Sequence, residues 1–100
     1  PYDSKEYVIP STKIDRSKQP ENMTAVIMDD SVTVRVRGSD EDLENLKEDD
    51  IKLSIDTSKY TKEGEQEVPV NVTLPEGYEL VDEVTVRVNL TPSAERQSEE

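Results

Sequence analysis

Three segments of the chain alternate apolar and polar residues with a period of two, and a shorter run at 51–55 repeats the pattern. They cover residues 32–37, 68–74 and 84–90. Side chains of a β-strand point to opposite faces in turn, so each segment would have one valine-rich face and one solvated face. The pattern predicts a half-buried, largely antiparallel sheet, a single-layered platform with an apolar side and a polar side.

One short helix interrupts this alternation. Ser39 stands three residues before Asp42, which is the spacing of a helix N-cap, and the acidic residues at 40–42 suit the positive end of a helix dipole. Leu43 and Leu46 are three residues apart and would share one face. We therefore expect a two-turn helix over about residues 40–48, lying over an open end of the sheet.

The rest of the chain divides by composition into three parts. We predict that residues 1–22 form an N-terminal strand at 7–9 followed by a loop that leads into the domain. Pro10 has no N–H group to donate to a neighbouring strand, and the residues after it are polar. Residues 23–92 form the β domain, with a turn at 75–77. Residues 93–100 are polar and charged, and we expect them to be disordered. The predicted fold class is mainly β: a small antiparallel or mixed sheet domain of five to six strands with one helix.

The composition argues against an enzyme. The chain has no His and no Cys, which removes the usual general base, thiolate nucleophile and zinc ligands. The acidic pairs and triplets at 29–30, 40–42 and 48–50 allow a calcium-dependent binding module as an alternative, although they lack the alternating ligand spacing of a calcium loop. We assign no catalytic, cofactor-binding or metal-binding residues and expect no cofactor.

The charge balance limits the classes of partner. Twenty-four acidic residues against twelve basic ones give a net charge of −12, and no basic run is present. We therefore expect no nucleic-acid binding and no direct membrane insertion by this segment. Arg35, Arg37 and Arg87 fall on polar strand faces, where they would pair with carboxylates across strands. Tyr7, Tyr60 and Tyr78 would cap the sheet as buried side chains.

The order of these elements resembles the YbbR-like domain. The matching features lie between Val32 and Leu90 and cover about 60 of the 100 residues. They run in this order: the Val32-x-Val34-x-Val36-x-Gly38 strand, Leu43 and Leu46, the Asp50-Ile51-x-Leu53-x-Ile55-Asp56 strand, Gly64, the Val68-Pro69-Val70-x-Val72-x-Leu74-Pro75-x-Gly77 segment, and Val84-x-Val86-x-Val88. Asp29, Asp30, Asp82 and Glu83 stand where the family often has Pro before a strand.

The resemblance implies an L25-like topology and a set of functional expectations. Such domains usually occur in tandem behind one N-terminal membrane helix, and in bacteria they resemble extracytoplasmic regulators of a membrane-bound diadenylate cyclase. The resemblance therefore implies that the chain is a non-catalytic regulatory module and that its partners are sister YbbR-like repeats and the cyclase. Its localisation is extracytoplasmic, anchored to the cell membrane through a helix of the parent protein. The alternative is a spacer or adhesin repeat of a bacterial surface protein, a β-sandwich that would need about seven strands.

Overall fold

The alternating valine runs form the central strands of the computed structural model, which describes residues 2–93. These residues contain nine strands and one α-helix. The mainly β fold class is confirmed, with more strands than the five or six expected. In chain order the elements are β1 (Tyr2–Pro10), β2 (Asp15–Lys18), β3 (Met23–Ile27), β4 (Ser31–Ser39), α1 (Asp40–Asn45), β5 (Lys52–Asp56), β6 (Gly64–Pro69), β7 (Asn71–Thr73), β8 (Glu79–Leu80) and β9 (Thr85–Pro92), with short 3₁₀ turns at Ser11–Lys13 and Glu48–Asp50.

The strands form three small sheets instead of the single-layered platform that the alternation suggested. The strand orders are β1-β4-β8, β2-β5-β7 and β3-β9-β6, and only the β2–β5 pair is parallel. Period-two alternation fixes which side chains point inward, but it does not say which strands pair. The inward side chains of all three sheets meet in one core: Tyr7, Ile9, Ile14, Ala25, Val32, Val34, Val36, Leu43, Leu46, Ile51, Leu53, Ile55, Val68, Val70, Val84, Val86, Val88 and Leu90.

The strand predicted over 68–74 is divided between two sheets. β6 pairs with β9, whereas β7 pairs with β5. The division falls at Val70, whose backbone N–H donates to the carbonyl of Val84 at 2.8 Å. Pro69 has no N–H to continue the ladder, and the chain crosses from one sheet to the next at this point.

The N-terminal lead-in is more ordered than predicted. β1 begins at Tyr2 and pairs antiparallel with β4 along its whole length, so the strand is longer than residues 7–9. The loop expected after it contains a 3₁₀ turn and β2, whose four side chains are all exposed. Because β2 has no apolar face, only its pairing with β5 identifies it as a strand. The disordered tail was predicted over 93–100; residues 94–100 lie outside the described residues, while the Ser93 N–H donates to the carbonyl of Asn22 at 3.0 Å.

The helix begins where the sequence predicts but ends earlier. The Ser39 hydroxyl accepts a hydrogen bond from the Asp42 N–H at 3.1 Å, which confirms the N-cap. The helix stops at Asn45, not at residue 48, because Leu46 adopts an extended backbone with φ −84° and ψ 121°. Leu43 and Leu46 are nonetheless both buried, as their spacing suggested. Residues 48–50 then form a separate 3₁₀ turn.

The domain is elongated, with dimensions of 60 × 21 × 19 Å. β3 and β4 follow each other along the chain, and residues 23–39 would span about 50 Å at about 3.3 Å per residue. Tyr2 pairs with Ser39 at the far end of β4, and Pro92 pairs with Met23 at the start of β3. The first and last strands therefore pair with opposite ends of the stretch 23–39.

Candidate functional site

The outer face of the β1-β4-β8 sheet carries a row of paired charges. Arg35 forms an ion pair with Glu6 on β1 and donates to the Ser4 hydroxyl at 3.0 Å. Arg37 approaches the carboxylate of Glu79 at 3.9 Å and lies over the ring of Tyr2, 5.6 Å from its centroid. These contacts confirm the predicted cross-strand pairing. Because the groups are largely exposed, each pair contributes little to stability.

Arg87 on β9 follows the same rule. Its guanidinium lies 3.5 Å from Asp29 and 3.9 Å from Glu65. Its backbone N–H also donates to the Asp29 carboxylate at 2.9 Å. The Asp29 carboxylate therefore takes the place of a backbone carbonyl as acceptor, at the point where the chain leaves β3. The predicted pairing of Arg87 with carboxylates is confirmed.

Of the three tyrosines predicted to cap the sheet, Tyr7 is buried, whereas Tyr60 and Tyr78 are half-buried against the core. The Tyr7 hydroxyl donates to the carbonyl of Leu46 at 3.1 Å, and the Tyr78 hydroxyl donates to the carbonyl of Asp42 at 2.6 Å. Burial, reinforced by the negative charge of Asp50, raises the pKa of Tyr7. Desolvation also raises the pKa of Tyr78, with the nearby Asp42 carboxylate as the second cause. Tyr7 and Tyr78 therefore act as structural donors.

The net negative charge of the chain comes from residues outside its strands. The nine strands together hold seven acidic and seven basic residues, so their net charge is zero. Residues 40–50, which we call the acidic segment, hold seven carboxylates and one lysine. This segment alone therefore carries −6 of the total −12.

The acidic segment is tied to β1 and to the turn that follows it. It starts after Ser39, which is the register partner of Tyr2, and its middle is tied to Tyr7 through Leu46. Near its end, the Asp49 carboxylate accepts a hydrogen bond from the ammonium group of Lys13, three residues after β1, at 2.9 Å. This hydrogen bond lowers the pKa of Asp49. β1 and the acidic segment together form the candidate interaction surface.

Two surface grooves lie among the described residues. One of about 720 Å³ is lined by Pro20, Met23, Tyr60, Pro92 and polar neighbours, and another of about 330 Å³ lies between Lys13, Asp49 and Leu53. Ser58, which lines the first groove, donates to the carboxylate of Asp56 at 2.6 Å, a local contact between residues two positions apart. Within residues 2–93, no group of three or more Asp or Glu side chains is placed to hold a metal ion. The calcium alternative therefore gains no support from the geometry.

Comparison with known families places this chain. The model of the YbbR-like protein family matches residues 12–91, which is most of the chain and all of its core strands except β1. The chain belongs to the YbbR-like family. The match begins before Val32, where the sequence resemblance began, so it also covers part of the segment that sequence reasoning set apart as a lead-in.

Solved structures support the fold. The YbbR-like domain of a Listeria monocytogenes protein superposes with a TM-score of 0.69 at 21% identity, covering 95% of this chain and 99% of that one. A YbbR-like protein from Streptococcus pneumoniae TIGR4 gives a TM-score of 0.68 at 18% identity, covering 92% of this chain. The chain spans 48% of the length of that second protein. No curated protein sequence matches the chain.

The family assignment confirms the resemblance read from the ordered strands. YbbR-like domains are not known as catalytic domains. None of the helices in the described part of the chain is both long and apolar enough to span a membrane. Sequence reasoning did not identify the β1 edge or its neighbouring acidic segment as a surface, because their proximity depends on which strands pair.

Proposed function

We propose that this YbbR-like chain is a non-catalytic module that acts by protein–protein contact within a larger, membrane-anchored, extracytoplasmic regulatory protein. Its target is a membrane-bound diadenylate cyclase, and its neighbours are sister YbbR-like repeats. Family membership supports the proposal: residues 12–91 match the YbbR-like family model, and the resemblance to that family implies such a role.

The physical character of the chain supports an interaction role. Its functional groups are used structurally: the tyrosine hydroxyls bind backbone carbonyls, and the strand arginines pair with carboxylates. What the molecule presents to solvent is an elongated, acidic surface. A strongly charged surface steers oppositely charged partners and sets association rates more than it sets affinity.

The experiment measures cyclic di-AMP in cells that make the cyclase alone or together with the full-length parent of this chain. We expect the parent protein to change the cyclic di-AMP level, and deletion of residues 2–93 to weaken that change. An unchanged level with the intact parent protein would contradict the regulatory role. Immunoblotting of the cyclase ensures that altered expression is not mistaken for regulation.

A second function, that of a spacer repeat, is favoured by one observation. The domain is 60 Å long, and its first and last strands pair with opposite ends of the stretch 23–39, which suits a module whose contribution is length. The two functions differ when residues 2–93 are replaced by an unrelated β domain of similar length. A spacer predicts that the cyclic di-AMP response survives this replacement, whereas a contact module predicts that the response is lost.

A further inference from the structure

The outer edge of β1 is open to pairing at Glu6 and Val8, in the second half of the strand. Backbone N–H groups alternate in direction along a strand. Since the Ser11 N–H donates to the carbonyl of Asp30, the odd-numbered residues of β1 face β4 and the even-numbered residues face outward. The carboxylate of Asp3 accepts the Ser4 N–H at 2.8 Å, which agrees with this assignment. Within residues 2–93, the N–H groups of Glu6 and Val8 have no strand beside them.

The other sheet edges are short or protected. On β3, the Ala25 N–H donates to the Gln19 side chain at 2.6 Å and the Ala25 carbonyl accepts from Arg16 at 3.2 Å. On β6, the residues facing outward are Glu65, Glu67 and Pro69, two carboxylates and a residue without a donor. Charges and proline are the usual means by which proteins block edge pairing. The outward-facing residues of β1 also include a carboxylate, Glu6, and a proline, Pro10, but β1 is nine residues long and the uncharged Val8 between them is 61% exposed.

Charge indicates what would pair with this edge. The acidic segment, with its net charge of −6, is tied to Tyr7 of β1 and to Lys13 just after that strand, so a strand added to β1 would approach a negatively charged part of the molecule. A second copy of this chain would bring two such segments together and be repelled. An extended segment with basic side chains on that face and apolar side chains beside Val8 would satisfy both surfaces.

We propose that the outer edge of β1 accepts an extended segment of a partner protein, in which basic and apolar residues alternate, as an added β-strand. Main-chain hydrogen bonds to Glu6 and Val8 provide the affinity, and the acidic segment selects for positive charge. This inference goes beyond the proposed function and does not depend on the cyclase.

The probe is an acetylated, amidated peptide of sequence KVKVKVK, titrated to millimolar concentration into the isotopically labelled chain and followed by NMR. We expect the amides of Glu6 and Val8 to shift and to become protected from hydrogen exchange. Those of Lys5 and Tyr7, which already face β4, should change little. EVEVEVE tests the requirement for positive charge. KPKPKPK has the same charge as the probe but lacks alternate N–H donors, so it tests strand pairing.

A matched pair of variants localises the effect. Val8→Lys places a positive charge on the open edge, and we expect it to weaken KVKVKVK binding by about fivefold or more. Val26→Lys adds the same charge at a 46% exposed position on β3, whose edge is already covered, and should bind within about twofold of the unmodified chain. Melting curves confirm that both variants fold.

Several outcomes would overturn the proposal. Equal binding of KPKPKPK would show simple charge attraction. Fast exchange of the Glu6 and Val8 amides at saturating peptide would place the peptide elsewhere, as would equal binding by both lysine variants. Protection of these two amides on raising the chain's concentration without peptide would identify a second copy as the occupant.

Discussion

The hydroxyl of Tyr7 on β1 donates a hydrogen bond to the backbone carbonyl of Leu46, 39 residues away, at 3.1 Å. Both side chains are buried, at 8% and 4% exposure. The bond lies where α1 has ended and the chain has become extended, so it satisfies a carbonyl that the helix leaves without a partner. Together with the hydrogen bond from Lys13 to Asp49, this contact holds the acidic segment on the side of β1.

Removing this hydroxyl tests its contribution to stability. Tyr7→Phe keeps the ring and loses the hydrogen bond, so we expect the free energy of unfolding to fall by about 1 kcal/mol. The measurement is urea denaturation at pH 7. Tyr2→Phe serves as the control, because Tyr2 is 66% exposed, and it should change stability by no more than about 0.5 kcal/mol. Equal effects of the two substitutions would contradict the structural role of the Tyr7 hydroxyl.

The raised pKa of Tyr7 predicts a loss of stability at alkaline pH. Burial raises the pKa of Tyr7 in the folded state, whereas a tyrosine in an unfolded chain has a pKa of about 10. Between the two pKa values the folded state binds more protons than the unfolded state, so the free energy of unfolding falls as pH rises. The stabilisation is complete below about pH 10 and is lost through the folded-state pKa.

Tyr7→Phe also isolates the alkaline effect, because lysine titration is common to both proteins. Unfolding free energies of the unmodified chain and of Tyr7→Phe should be compared between about pH 9 and 11, the range around the tyrosine pKa. We expect the variant to lose less stability over this range. Parallel curves would show that Tyr7 titrates alike in the folded and unfolded states.

Gly38 on β4 is the position where a side chain would meet a fixed neighbour. A Cβ there would lie 3.3 Å from Cδ1 of Tyr78, and the hydrogen bond from Tyr78 to the Asp42 carbonyl restricts movement of that ring. We therefore expect Gly38→Ala to lower the free energy of unfolding by about 1–2 kcal/mol. In a Tyr78→Ala background the same substitution should cost clearly less, as measured by a double-mutant cycle in urea. An equal cost in both backgrounds would contradict the clash.

The concentration of charge at 40–50 predicts a response to salt. Sodium chloride screens repulsion among the seven carboxylates of the acidic segment, so we expect Tm to rise up to about 0.3 M. Glu44→Gln removes one charge from the segment and should raise Tm at low salt and reduce the salt response. Glu83→Gln is the control outside the segment. A falling Tm with added salt would mean that specific ion pairs outweigh the repulsion.

The local sequence pattern correctly predicted those elements whose apolar positions are the buried ones. The valines of β4 and β9 alternate because one face of each strand lies in the core, and Ser39 caps α1 as expected. The predictions were less accurate where polar residues form a strand without burying a side-chain face. The first half of β1 is polar and mostly exposed on both faces, so pairing with β4 alone makes it a strand. The helix ends early at Leu46, whose carbonyl accepts a hydrogen bond from Tyr7, a residue distant in sequence.

The sequence by itself determined the inward-facing residues, the helix start, the turn at 75–77, the strand arginines that form ion pairs and the family to which the ordered strands belong. Each of these depends on neighbours within a few positions or on a period of two. Only the tertiary structure decided that the strands form three sheets, that β6 and β7 separate at Val70, and that the acidic segment lies beside an open β1 edge. Strand pairing joins residues far apart along the chain, and no local pattern contains that information.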